Sequence, residues 1–208
     1  MYSSVASGKH DQDITHDSDK HEDPYVSPPP IRTLLARTKF STSELRYLYK
    51  AFKNACHSGI ATKETFCSAF DCIFREAASH SYAILTFSAF DRSSRGYITF
   101  SDFVQTLSCL IHGTQEEILN WVFDLYDYDK DGYISRQELV VLIRAVNDLL
   151  GPTHNIKELI ENVDEKANRM LNKFDTDRDG KIERREFISV CLQDETILES
   201  LTAFGGSF

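Results

Sequence analysis

The stretch DYDKDGYISRQE, Asp127–Glu138, decides the fold. Its first, third, fifth, ninth and twelfth residues all bear side-chain oxygens: Asp127, Asp129, Asp131, Ser135 and Glu138. Gly132 stands sixth and Ile134 eighth. A glycine at the bend gives the backbone a left-handed turn that other residues resist, and the flanking oxygens then converge. Outward from this stretch the same frame recurs. Gly59, Gly96, Gly132 and Gly180 are each followed two residues later by Ala61, Ile98, Ile134 or Ile182, and seven later by Phe66, Phe103, Leu139 or Phe187. The glycines lie 37, 36 and 48 residues apart, so the unit occurs four times, with a longer connection before the last.

Calcium in a helix–loop–helix hand takes hard oxygens from loop positions 1, 3 and 5, a backbone carbonyl at 7, position 9 often through water, and a bidentate glutamate at 12. Four EF-hands are therefore predicted, in an all-α fold of two lobes. The third loop offers Asp127, Asp129, Asp131, the Tyr133 carbonyl, Ser135 and Glu138; the fourth offers Asp175, Asp177, Asp179, the Lys181 carbonyl, Glu183 and Glu186. The second has Asp91, Ser93, Arg95, Thr99 and Asp102, and the first Asn54, Cys56, Ser58, Thr62 and Thr65. Formal charge over these side chains is 0, −1, −4 and −5 from first to fourth. A unit charge pair at about 4 Å is worth about 4 kcal/mol at an effective dielectric of about 20, so Arg95 in place of a carboxylate reverses a large contribution. Two calcium ions are expected, at the third and fourth hands. The second is at best a weak magnesium site, its shorter Asp102 suiting the smaller ion.

Composition bounds the rest. The chain has 208 residues, 41% of them apolar, with 14 Phe and 9 Tyr to fill a core. No apolar run approaches the roughly 18 residues of a membrane span, and MYSSVASGKHDQD lacks an apolar signal region. A cytoplasmic protein is expected. Its five cysteines form no zinc spacing and are read as reduced thiols. The net charge of −9 argues against nucleic-acid binding, and nine carboxylates in the two armed loops account for it. Residues 1–30 hold three of the seven His, six Asp or Glu and almost no large aliphatics. They read as a solvated tail, although His10, His16 and His21 offer transition-metal donors. The division is a disordered tail over 1–38, a hand pair that does not bind calcium over 39–112, a calcium-binding pair over 113–193, and a C-terminal helix over 194–208. No nucleophile, base or cofactor loop suggests an enzyme.

KFSTSELRYLYKAFKNACHSG, FVQTLSCLIHGTQEEILNWVFDLYDYDKDGYI and EFISVCLQDETILESLTAF resemble the neuronal calcium sensor superfamily, and most of all its potassium-channel-interacting proteins. The likeness runs from Lys39 to Phe204. His57 stands where the family usually has proline, Tyr2 replaces the glycine needed for myristoylation, and no cysteine precedes Cys56.

The resemblance implies an auxiliary subunit of A-type voltage-gated potassium channels. It would hold the channel's cytoplasmic N-terminal helix in an apolar groove, alter trafficking and inactivation, and meet the plasma membrane only through the channel. The stripe Phe66, Phe70, Ile73 and Phe74 and the stripe Phe100, Phe103, Leu107, Leu110 and Ile111 serve equally as lobe core or as groove. Leu48 and Phe52 complete the groove wall by analogy with the family. Only two Met favour a selective groove over an adaptable one. Two other functions stay open: a calcium-dependent regulator of a kinase, cyclase or phosphatase, and a calcium-released transcriptional repressor. The residues leave the oligomeric state undecided. Ile197, Leu198, Leu201 and Phe204 give the last helix an apolar face, either a displaceable cover for the groove or a fixed packing element.

Overall fold

The computed structural model describes residues 26–73, 80–150 and 162–197. Each hand is two helices around a loop whose positions 7 to 9 form a three-residue strand. The first comprises α2 (Thr42–Ala55), β1 (Ile60–Thr62) and α3 (Lys63–Ile73); the second, α4 (His80–Phe90), β2 (Tyr97–Thr99) and α5 (Phe100–His112). In the C-terminal lobe follow α6 (Gln115–Tyr126), β3 (Tyr133–Ser135) and α7 (Arg136–Leu150), then α8 (Val163–Phe174), β4 (Lys181–Glu183) and α9 (Arg184–Gln193). The strands pair antiparallel within each lobe, placing Ala61 opposite Ile98 and Ile134 opposite Ile182. The position-8 residues thus knit the loops in pairs, as their apolar character requires.

Helix starts are fixed by side chains. Ser41 and Glu44 form a reciprocal cap on α2, as do Thr114 and Glu117 on α6. In the loops the same device joins positions 9 and 12. Thr99 and Asp102 cap α5, Ser135 and Glu138 exchange hydrogen bonds at the start of α7, and the Glu183 amide donates to Glu186 at α9. The residue meant for the ion is therefore also the one that starts the exiting helix.

The two lobes are not independent globules. Leu45, Phe52, Ile98, Phe100 and Val104 share one cluster with Trp121, Leu125, Leu142 and Ala145 from the C-terminal lobe. Phe123, Leu139, Phe174, Ile182 and Phe187 form a second. Helix α6 feeds both, through Trp121 and Leu125 to one and Leu119 and Phe123 to the other. Helix α4, which packs on α6 and α7, buries residues nearly all round, including Ala83, Leu85, Phe87, Ala89 and Phe90. Phe90 meets Trp121 edge to face with ring centroids 6.2 Å apart.

The tail boundary expected at residue 38 moves toward the N-terminus. Helix α1 (Ile31–Leu35) buries Leu34 to 3% exposure against the N-terminal core, and Thr38 Oγ1 donates to the Leu34 carbonyl at 2.9 Å. Earlier still, Val26 N donates to the Ser58 carbonyl of the first loop at 3.0 Å. A five-residue helix with one buried leucine leaves almost no periodic signal, which is why composition alone misses it. Residues 1–25, with His10, His16 and His21, lie outside the described residues.

Val26 makes Gly59 indispensable in a way Gly96 is not. Both have φ of 81°, but a Cβ on Gly59 would sit 2.2 Å from the Val26 carbonyl oxygen, whereas one on Gly96 meets nothing within 4 Å. Gly59→Ala and Gly96→Ala should both lose about 1–2 kcal/mol to left-handed strain. Gly59→Ala should lose about 1 kcal/mol more with its Val26 contact, read as a lower urea midpoint and faster proteolysis near residues 26–30. Equal midpoints would show that the Val26 segment does not brace the first loop.

Candidate metal centres

The third loop brings carboxylate oxygens of Asp127, Asp129 and Asp131 within 4.8 Å of one another. Local amides aim them. Gly132 N donates to Asp127 Oδ2 at 3.1 Å, Asp131 N to Asp129 Oδ1 at 3.1 Å and Tyr133 N to Asp131 Oδ1 at 2.9 Å. Glu138 divides its two oxygens. Oε2 accepts from Ser135 N at 2.7 Å and Ser135 Oγ at 2.8 Å, while Oε1 is buried without a partner. Asp127 Oδ1 is likewise buried and unpartnered. Two orphaned carboxylate oxygens in one loop are costly unless a cation meets them. This donor set fits calcium, with the pairing of β3 to β4 fixing the backbone at Tyr133 and Lys181.

Burial pushes the Asp127 and Glu138 carboxyls above their usual range, and the neighbouring Asp131 and Asp129 charges add to the effect at Asp127. The sign follows from linkage. A raised folded-state pKa makes these groups favour the fold in acid, and that contribution is lost as pH rises through the folded pKa. At neutral pH the two charges burden the calcium-free fold, and calcium removes the burden.

The fourth loop has the same parts in another state. Asp175, Asp177 and Glu186 converge within 4.8 Å. Gly180 N donates to Asp175 Oδ2 at 2.9 Å, and Lys181 N to Asp179 Oδ1 at 2.9 Å. Glu186 Oε1, however, accepts from Thr176 N at 2.8 Å, Thr176 Oγ1 at 2.6 Å and Asp177 N at 3.1 Å. Partial burial pushes the Glu186 carboxyl up, but these bonds and one from Glu183 N together hold it below its ordinary range. A calcium ion would have to replace bonds that the loop makes to itself. Glu183, at position 9, accepts from Arg185 at 3.0 Å.

The first loop is closed without charge. Cys56 is buried, burial pushing its thiol pKa up, and Gly59 N donates to the Cys56 carbonyl at 3.0 Å. Thr65 N donates to Thr62 Oγ1 at 3.3 Å. In the second loop Arg95 forms an ion pair with Asp102.

Residues 116–192 match the family model of the EF-hand domain pair. This part of the chain is an EF-hand domain pair. No described helix is long and apolar enough to cross a membrane.

The groove expectation divides. Phe52 and Phe100, 7% and 3% exposed, are core and offer a partner no surface; their rings pack 5.6 Å apart. Leu48, Phe66, Phe103, Leu107, Leu110 and Ile111 are half-buried against that core, and Phe70 is half-buried with its ring 6.1 Å from Tyr82. The Ile73 side chain and Phe74 lie outside the described residues, as do Leu198, Leu201 and Phe204. After Asp194, whose Oδ1 accepts from Thr196 N at 3.0 Å, residues 195–197 are helical, and Ile197 packs on the C-terminal cluster. Sequence reasoning missed the residues that lock loops to their surroundings. Arg184 donates to Asp124 Oδ1 at 2.7 Å and lies 4.2 Å over the Phe123 ring, and Arg136 joins α7 to α8 through Asp164 at 2.5 Å. All sit at positions that bind no ion, where the loop pattern is silent.

Calorimetry should find two calcium ions per chain, one lost in Glu138→Gln and one in Glu186→Gln. Without calcium the variants should part company. Glu138→Gln removes an unpartnered buried charge and should raise the melting temperature at neutral pH, at about 2–4 °C per kcal/mol. Glu186→Gln weakens an acceptor of four hydrogen bonds and should lower it. Equal shifts of the same sign would refute the difference drawn between the loops.

Proposed function

We propose that this protein is a calcium sensor serving as an auxiliary subunit of an A-type voltage-gated potassium channel, at the cytoplasmic side of the plasma membrane. The observation that supports the reading is an open apolar cleft of about 430 Å³ between α2 and α5, lined by Phe40, Ser43, Glu44, Tyr47, Leu48, Leu107 and Ile111. Tyr47 stands 75% exposed at its edge. Three of the groove residues named from the sequence, Leu48, Leu107 and Ile111, meet here. An amphipathic helix carrying large apolar side chains suits such a wall, each anchor contributing about 1.5–3 kcal/mol before the cost of association. The cleft belongs to the lobe without calcium ligands, so binding and sensing are divided between lobes.

Binding of a peptide from the channel's cytoplasmic N-terminus tests the reading. Leu48→Glu and Ile111→Glu should each weaken it about tenfold or more, as the loss of one buried anchor implies. The two-calcium stoichiometry should stay the same. Failure of the wild-type protein to bind such peptides, or equal binding by the variants, would overturn the assignment. An unchanged melting temperature separates lost contact from lost fold.

A further inference from the structure

The second hand has the frame of a metal loop. Gly96 N donates to Asp91 Oδ2 at 2.7 Å, as Gly132 N does to Asp127 and Gly180 N to Asp175. Its fourth residue, Ser94, takes a φ of 51°, matching Lys130 and Arg178 in the armed loops at 62° and 64°. Asp91 is buried, and its Oδ1 accepts from Arg95 N at 3.1 Å. The loop is thus folded like its armed relatives although its side chains cannot recruit calcium.

The stand-in is on the page. Arg95, at position 5, pairs through Nη2 with Oδ2 of Asp102 at position 12, the two residues that should meet through an ion. The same Oδ2 accepts from Thr99 N at 2.9 Å and Thr99 Oγ1 at 2.6 Å, while the guanidinium lies 5.1 Å from the Tyr97 ring centroid. A second, independent cation closes the loop from behind. Lys130 of the third loop donates to the Asp91 carbonyl and to Ser94 Oγ, the latter at 3.1 Å. Arg95 therefore answers the Asp102 carboxylate, the Arg95 and Gly96 amides hold the Asp91 carboxylate, and Lys130 binds neutral oxygens of the same loop.

We infer that the second hand is a metal site whose resident cation is the Arg95 guanidinium, and that it takes neither calcium nor magnesium until that cation is removed. An arriving divalent ion would meet the Arg95 charge and would have to displace it from Asp102. The weak magnesium binding that the shorter Asp102 suggests from sequence is thereby replaced by an internal salt bridge. Arginine suits the role because its planar fork can engage a carboxylate and stack on an aromatic ring at once, and it stays charged at every physiological pH.

The wild type and three variants, each with its third and fourth loops filled by calcium beforehand, test the inference by amide hydrogen exchange and calorimetry. Arg95→Met should speed exchange of the Gly96 and Thr99 amides about fivefold, corresponding to loss of a half-exposed ion pair, with two calcium ions still bound. Arg95→Asp, which supplies a carboxylate at position 5, should bind a third divalent ion and recover slow exchange when magnesium or more calcium is added. The wild type should show no change at these amides on adding millimolar magnesium. Magnesium-dependent protection in the wild type, wild-type exchange rates in Arg95→Met, or only two ions in Arg95→Asp would each overturn it. Arg95→Lys, which keeps the charge, should remain closed to a third ion and guards against misreading a general loss of fold.

Discussion

A twelve-residue loop that turns its oxygens inward must be closed by something positive, or have few charged oxygens to close. Every other feature of this molecule follows from how that constraint is met. In the first loop the ligand positions hold no carboxylate, and Val26 secures the Ser58 carbonyl from outside. In the second, Arg95 answers Asp102. Only the third and fourth loops carry four or more carboxylates at their ligand positions. Because β1 pairs with β2 and β3 with β4, the two carboxylate-poor loops share one lobe and the two carboxylate-rich loops share the other.

Segregation would isolate the sensor if the lobes were separate, but α6 prevents that. Trp121 and Leu125 enter the N-terminal cluster and Leu119 and Phe123 the C-terminal one, while Asp127, the first ligand of the third loop, caps the end of the same helix. Across the junction Ser88 Oγ donates to the Tyr128 carbonyl at 3.3 Å, and Lys130 reaches the second loop. Ordering of the third loop therefore bears directly on α4 and α6, whose burial leaves little room to absorb movement locally.

Loop chemistry was legible in the sequence because it is local: a glycine, an alternation of oxygens and an apolar eighth residue fix geometry within twelve positions. The pairing of Ala61 with Ile98 and of Ile134 with Ile182 follows from the same spacing. Which apolar side chains stay uncovered was less legible. Phe100 and Phe103 both belong to one apolar stripe on α5, yet Phe100 is core and Phe103 only half-buried, because a stripe names a face of a helix but not what covers it. The apolar cleft joins Leu107 and Ile111 of that stripe and Leu48 to Phe40 and Tyr47, two residues that the stripes do not select. Leu34 was hidden for a different reason, being one anchor in a single helical turn. Lys130 and Arg184 were hidden because their partners are distant in sequence, and loop positions 4 and 10 carry no ligand signal.

The two armed loops are also unequal, and their placement gives the inequality direction. Glu138 keeps an oxygen free and buried, so an ion entering the third loop relieves a cost already present in the fold. Glu186 is spent on Thr176 and Asp177, so an ion entering the fourth must first undo satisfied bonds. The affinity of each loop for an ion would depend on the difference between these starting states as well as on the number of carboxylates, with the fourth loop's additional acid set against its self-made contacts. The third loop abuts the N-terminal lobe through Tyr128 and Lys130. The helix preceding the fourth holds the start of the C-terminal segment through Lys173 and Asp194, 2.6 Å apart. Calcium filling in order of readiness would act first on the junction between lobes, and then on the segment that follows α9.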